Sequence, residues 1–160
     1  MSIEVKAYCD GSCNNKTKKA GGCGIVIQCQ GFEKTYSFGQ WINSTSARCE
    51  LHGAIETLRL IKNKTLKATI YCDNSYVVNC HAMGWLENWE AQGWFGRKNK
   101  DLLQQFLAEI RLFPVGYVRF QWVKGHNKHR ENEICDKLAA EGGKSTNLID
   151  DTEFFLTDSQ

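Results

Sequence analysis

The chain has 160 residues, 42% of them hydrophobic and 24% charged, with eight cysteines, one proline and a formal net charge of +2. That length suits one domain with a real core, and the even spread of aliphatic and aromatic residues excludes whole-chain disorder. No apolar run approaches the ~18 residues that a membrane span needs, and MSIEVKAYCDGSC lacks the basic-then-apolar pattern of a secretory signal, so the expectation is a cytoplasmic protein with no membrane partner.

Residues 3–10 alternate, with Ile3, Val5, Ala7 and Cys9 on one face of an expected strand. GSCNNKTKKAGG, residues 11–22, reads as a glycine-rich turn. Cys23, Ile25, Ile27 and Cys29 mark a second strand, Gln30–Gly31 a tight turn, and Phe32 to Phe38 a third strand. The period then changes. Ala47, Leu51, Ala54, Ile55, Leu58 and Ile61 fall at helical spacing behind the cap candidates Ser44, Thr45 and Ser46.

KATIYCD, residues 67–73, is a fourth strand, and a helical stretch broken near Gly84 runs from Asn74 to about Gln92. A basic loop from Gly93 to Lys100 precedes a helix marked by Leu102, Leu103, Phe106, Leu107 and Ile110, which Pro114 stops. Val115 to Val123 is β-rich, and Glu131 to Glu141 is a last helix. The order βββ-α-β-α-α-α-β-α predicts an α/β (α+β) fold: a five-stranded mixed sheet flanked by helices. Residues 1–141 form the expected domain and 142–160 an acidic tail.

The tail matters for the charge. Residues 141–160 hold Glu141, Asp150, Asp151, Glu153 and Asp158 against Lys144 alone, so the other 140 residues carry 19 bases and 13 acids, a net of +6. A moderately basic body is compatible with a nucleic-acid partner without establishing one, since solvated surface lysines give the same balance. The cysteines form no CxxC pair, which leaves a tetrahedral zinc site without support. They read as small buried hydrophobes in a reducing compartment.

Four acids sit where chemistry can converge. Asp10 and Asp73 each end a strand, Glu50 lies beside the apolar stripe of the first helix, and Asp136 lies mid-helix among Ile134, Cys135 and Leu138, which predicts partial shielding from solvent. Each directly follows a cysteine: Cys9, Cys49, Cys72 and Cys135. Neighbouring strand residues point to opposite faces, so core cysteines turn Asp10 and Asp73 away from their own side of the sheet. Taken singly, a strand-end Asp is usually a turn residue and a helical Glu usually surface. Four carboxylates brought together need a counter-charge, and oxygen-only ligands select Mg²⁺ or Mn²⁺.

The motifs YCDGSC, ARCEL, YCDNSYV and WVKGHNKHRENEICDKLA, in this order and spacing, resemble prokaryotic type 1 ribonuclease H from about Ile3 to Glu141. The last block is the most specific, whereas a lone DGS carries nothing. The resemblance implies a ribonuclease H-like fold and a monomeric endonuclease that cleaves the RNA strand of an RNA–DNA hybrid, leaving 5′-phosphate and 3′-hydroxyl ends. It implies two Mg²⁺ ions, with Mn²⁺ able to substitute, held by Asp10, Glu50, Asp73 and Asp136. It also gives His126 a part in proton transfer or product release. Substrate contacts carried over in the same way are Gly11, Ser12, Asn15 (or Asn14), Thr45, Ser46, Trp85 and Trp89, the tryptophans belonging to the family's substrate-binding handle.

Three departures accompany the resemblance. Glu87 and Glu90 stand on the handle where relatives often carry lysines, and its loop offers only Arg97, Lys98 and Lys100. Fewer phosphate contacts predict weaker binding and a flatter salt dependence. Ser46–Ala47 replaces the family's asparagine pair, and Ser75 replaces a longer amide residue. The alternatives are a related nuclease with another nucleic-acid target, or a non-catalytic hybrid-binding module on the same fold. The second would be signalled by loss of a metal carboxylate, and all four are present.

Overall fold

A computed structural model describes residues 3–14, 20–124, 130–144 and 149–151. Six strands form one mixed sheet in the order β5-β4-β1-β2-β3-β6. The elements are β1 (Glu4–Asn14), β2 (Ala20–Cys29), β3 (Phe32–Ile42), α1 (Ser46–Leu60), β4 (Lys67–Cys72), α2 (Ser75–Ala82), α3 (Trp85–Ala91), α4 (Lys100–Ile110), β5 (Val118–Trp122), α5 (Arg130–Gly142) and β6 (Ile149–Asp150). The first five strands and five helices follow the expected order. The sheet exceeds the expected five strands by β6, a two-residue parallel pairing of Ile149 and Asp150 with Trp41 and Ile42 of β3.

Strands β1, β2 and β3 form antiparallel hairpins, while β4 and β5 add in parallel. The β2–β3 turn places Gln30 and Gly31 at φ +49° and +81°, the doubly left-handed pair that matches strand twist in a two-residue loop. One face of the sheet carries α1, whose Leu51, Ala54, Ile55 and Leu58 are buried with Ile25 and Ile70 and with Leu102, Leu103, Phe106 and Leu107 of α4. Helix α5 packs on the opposite face, where the Cys135 thiol donates to the Tyr8 carbonyl at 3.3 Å.

The expectation of a turn over residues 11–22 needs correction. Strand β1 continues to Asn14 and pairs Gly11, Ser12, Cys13 and Asn14 with Cys23, Gly22, Gly21 and Ala20. The glycines serve close packing instead. A Cβ on Gly11 would overlap the α1 backbone at Cys49 and Glu50, and one on Gly22 would overlap the Ala139 carbonyl of α5. Both helices therefore sit closer to the first hairpin than side chains would allow. Gly84, at φ +68°, breaks α2 from α3 as the sequence predicts.

Candidate active site

Three elements deliver three carboxylates to one point. Parallel pairing sets Cys9 of β1 opposite Cys72 of β4, which places Asp10 and Asp73 side by side where β4 ends. Cys9, Cys49, Cys72 and Cys135 are all at most 1% exposed, as the cysteine–acid pattern requires. Helix α1 starts from the Thr45 cap, whose hydroxyl oxygen accepts from the Arg48 N–H at 3.1 Å. Its close seat on Gly11 brings Glu50 in from above.

Ligand oxygens of Asp10, Glu50 and Asp73 lie within 4.8 Å of one another. Asp10 is only 8% exposed, and its carboxylate accepts from the Gly11 N–H at 2.9 Å. Burial, then the charge of Asp73, raises the Asp10 carboxyl well above its ordinary value. Burial and the Asp10 charge push Glu50 up as well, so the pair tends to retain a proton. An all-oxygen cluster that resists full ionisation on its own is the donor set a hard divalent cation fits.

Asp136 differs from the expectation. It faces solvent on α5 instead of being shielded, outside the three-carboxylate cluster, although its charge still contributes to raising Asp10. Gly11 and Ser12 adjoin Asp10 on β1, and Thr45 and Ser46 are exposed at the start of α1. Trp85 and Trp89 share one side of α3 with ring centroids 5.9 Å apart, and Tyr76 lies 6.3 Å from each. The Arg97 guanidinium lies over Trp89 at 5.1 Å, a cation–π contact. Of the acids on this handle, Glu90 is clamped by Arg111 at 2.6 and 2.7 Å. His126 and Asn15 lie outside the described residues.

The RNase H family profile matches residues 3–144. The chain belongs to the RNase H family. It is 38% identical to the Ribonuclease H of Desulforamulus reducens over 91% of both chains. With the Ribonuclease HI of Haemophilus influenzae it shares 36% identity over 94% of this chain and 96% of the relative. Among solved structures it is similar to LC9-RNase H1, a type 1 RNase H with the type 2 active-site motif, with TM-score 0.74 and 23% identity over 96% of this chain and 80% of that one. A PFV RNase H domain shows the same fold, with TM-score 0.71 and 20% identity over 89% of this chain and 96% of that one.

Two features of this family member were not singled out from the sequence. Arg48 is buried at the start of α1, bidentate to Asp101 of α4 at 2.8 and 2.9 Å, and bonded to Asp151 at 3.1 and 3.2 Å. Asp151 also accepts from Ser44 at 2.7 Å and meets His52 at 2.8 Å, which stacks on Trp41. The second is Trp122, the last residue of β5, half-exposed, with its indole N–H on the Asp73 carbonyl at 3.0 Å. The alternation Val118, Phe120, Trp122 reads as a buried face, so nothing in the sequence separates Trp122 from core.

Proposed function

We propose that the protein hydrolyses the RNA strand of RNA–DNA hybrids with two Mg²⁺ ions, Mn²⁺ substituting, and leaves 5′-phosphate and 3′-hydroxyl ends. Membership of the RNase H family carries the activity class, an endonuclease acting on RNA–DNA hybrids and dependent on metal. The observation that supports the finer reading is the convergence of Asp10, Glu50 and Asp73 from β1, α1 and the end of β4. These three would hold the ions, with exposed Asp136 completing the set from α5. The ions, when bound, would ease deprotonation of the attacking water and steady the charge developing on the phosphate.

The remaining roles belong to the chain's own groups. Gly11 and Ser12 present backbone and hydroxyl groups next to Asp10, where the scissile phosphate would lie. Thr45, Ser46 and Asn15 are assigned to backbone and minor-groove contacts, and Trp85 and Trp89 to the DNA strand. His126 is assigned to proton movement at the leaving group. None of the eight cysteines is in a disulfide, which is in keeping with the reducing, cytoplasmic setting proposed here. Among the described residues no helix is long and apolar enough to cross a membrane.

The test is incubation of labelled RNA–DNA hybrid, RNA duplex, DNA duplex and single strands with and without Mg²⁺. Cleavage confined to the RNA of the hybrid, dependent on the ion and lost in Asp73→Asn, is expected. A protein that binds hybrid equally with and without Mg²⁺ and cuts nothing would be a binding module.

A further inference from the structure

The geometry points to Trp122 as a positioning residue that aims Asp73 at its metal. Asp73 is the first residue beyond β4, where the ladder to β5 runs out. Its Cα lies between two peptide groups, and the end of β5 holds both. The Val123 N–H donates to the Cys72 carbonyl at 2.8 Å, ahead of Asp73. The next carbonyl, that of Asp73 itself, accepts from the Trp122 indole N–H at 3.0 Å. With both flanking peptide planes tied, φ and ψ of Asp73 are set, and with them the direction of its Cα–Cβ bond.

The downstream side is secured as well. Asn74 caps α2, its side chain accepting from the Val77 N–H at 3.2 Å. Asp73 therefore spans a strand end and a helix cap, and the Trp122 side chain bridges to it from the end of β5. Trp122 is 51% exposed, while Val118 and Phe120 earlier on the same face of β5 are buried. A ring with so little packing is a weak core element, so its directed contact is the donated hydrogen bond. Partners that orient metal-binding side chains from outside the ligand set commonly change metal affinity or activity by about 10- to 100-fold when removed.

This inference rests on the reading of Asp73 as a metal carboxylate, and the experiment separates the two. Mn²⁺ binding to the substrate-free protein is measured by calorimetry for the parent, Asp73→Asn, Trp122→Phe, and a protein with β-(3-benzothienyl)alanine at 122, in which sulfur replaces the N–H and the ring keeps its shape. Melting temperatures and hybrid affinity in EDTA are measured alongside. Trp122→Phe and the sulfur analogue are expected to bind Mn²⁺ about tenfold more weakly, with melting temperature and metal-free hybrid affinity unchanged. Activity should then shift to higher Mg²⁺ concentration with KM for hybrid preserved.

Parent-like Mn²⁺ affinity in the sulfur analogue would overturn the role of Trp122. So would weaker hybrid binding in EDTA with Mn²⁺ affinity intact, which would make the ring a substrate contact. Parent-like Mn²⁺ binding by Asp73→Asn would instead overturn the metal reading of Asp73 itself. If Trp122→Phe melts early, the sulfur analogue decides.

Discussion

Replacing Asp10 with asparagine should abolish cleavage and, in the absence of metal, make the protein more stable. Burial and the Asp73 charge raise the Asp10 carboxyl from 3.8 to about 7. Each unit corresponds to about 1.4 kcal/mol, so ionising Asp10 in the folded, metal-free protein costs about 4 kcal/mol at most. Solvent reaching the cluster reduces that to about 2 kcal/mol. Asparagine keeps an acceptor for the Gly11 N–H and removes the charge.

The sign follows from proton linkage. Between the unfolded and folded values the native state holds more protons than the unfolded one, so stability falls as pH rises from about 4 to about 7. Asp10→Asn escapes that loss. In EDTA at pH 8 it should melt roughly 4–8 °C above the parent, at about 2–4 °C per kcal/mol for a chain of this size. At pH 4 the difference should vanish. Adding Mg²⁺ should raise the parent and leave the variant behind, because only the parent retains all the carboxylates of the proposed ligand set. Melts by circular dichroism at both pH values, with and without Mg²⁺, would check this. An equal gain at pH 4 and pH 8, or no gain in EDTA at pH 8, would refute the charge argument.

Other perturbations follow from the same geometry. Asp136→Asn should reduce cleavage by about tenfold where Asp10→Asn reduces it to background, because Asp136 is exposed outside the cluster; equal loss in matched kinetics would refute the distinction. Asp151→Ala should cost about 3 kcal/mol in urea unfolding, since Arg48 loses one buried partner but keeps Asp101. Burial pushes Asp151 up, but bonds from His52, Arg48 and Ser44 outweigh it and hold the carboxyl low, so this stabilisation is present above pH ~4 and lost as pH falls further. Glu87→Lys with Glu90→Lys should lower KM several-fold at moderate salt and steepen its salt dependence, since the change adds two lysines and frees Arg111 from its clamp; a KM unchanged across a salt series would mean the handle does not touch substrate.

The fold was largely legible because hydrophobic period and strand–helix order carry it. The alternation in β1, β2 and β4 and the 3.6-residue stripe of α1 survive in the structure, since each buries one face against the same core. The glycines misled, and for a physical reason. A glycine that relieves a steric clash has the same sequence signature as one that makes a turn, and only the neighbouring helix tells them apart. Gly11 and Gly22 look like loop residues until α1 and α5 are seen to press against them.

The site divides along a similar line. Asp10, Glu50 and Asp73 are read from local motifs because each is fixed by its own element: the interior of β1, which runs on past the strand end expected at Asp10, a helix face, and the residue just beyond β4. What joins them is register, Cys9 opposite Cys72, which no local window contains. Asp136 sits on a helix whose rotation sets its exposure, so its solvated position was not available from Ile134, Cys135 and Leu138 alone. Trp122 and the Arg48–Asp151 pair lie further from sequence logic still, linking positions 49 and 103 residues apart through side-chain atoms. These long-range ties hold the pieces that the motifs supply. In Arg48 one buried guanidinium connects the start of α1, the start of α4 and the C-terminal segment, so the element bearing Glu50, the segment that follows the tryptophan handle and the returning chain share one anchor. Disturbing that anchor should loosen the substrate contacts proposed for Thr45 and Ser46 before it reaches the carboxylates, because α1 is gripped again at Gly11 beside Glu50.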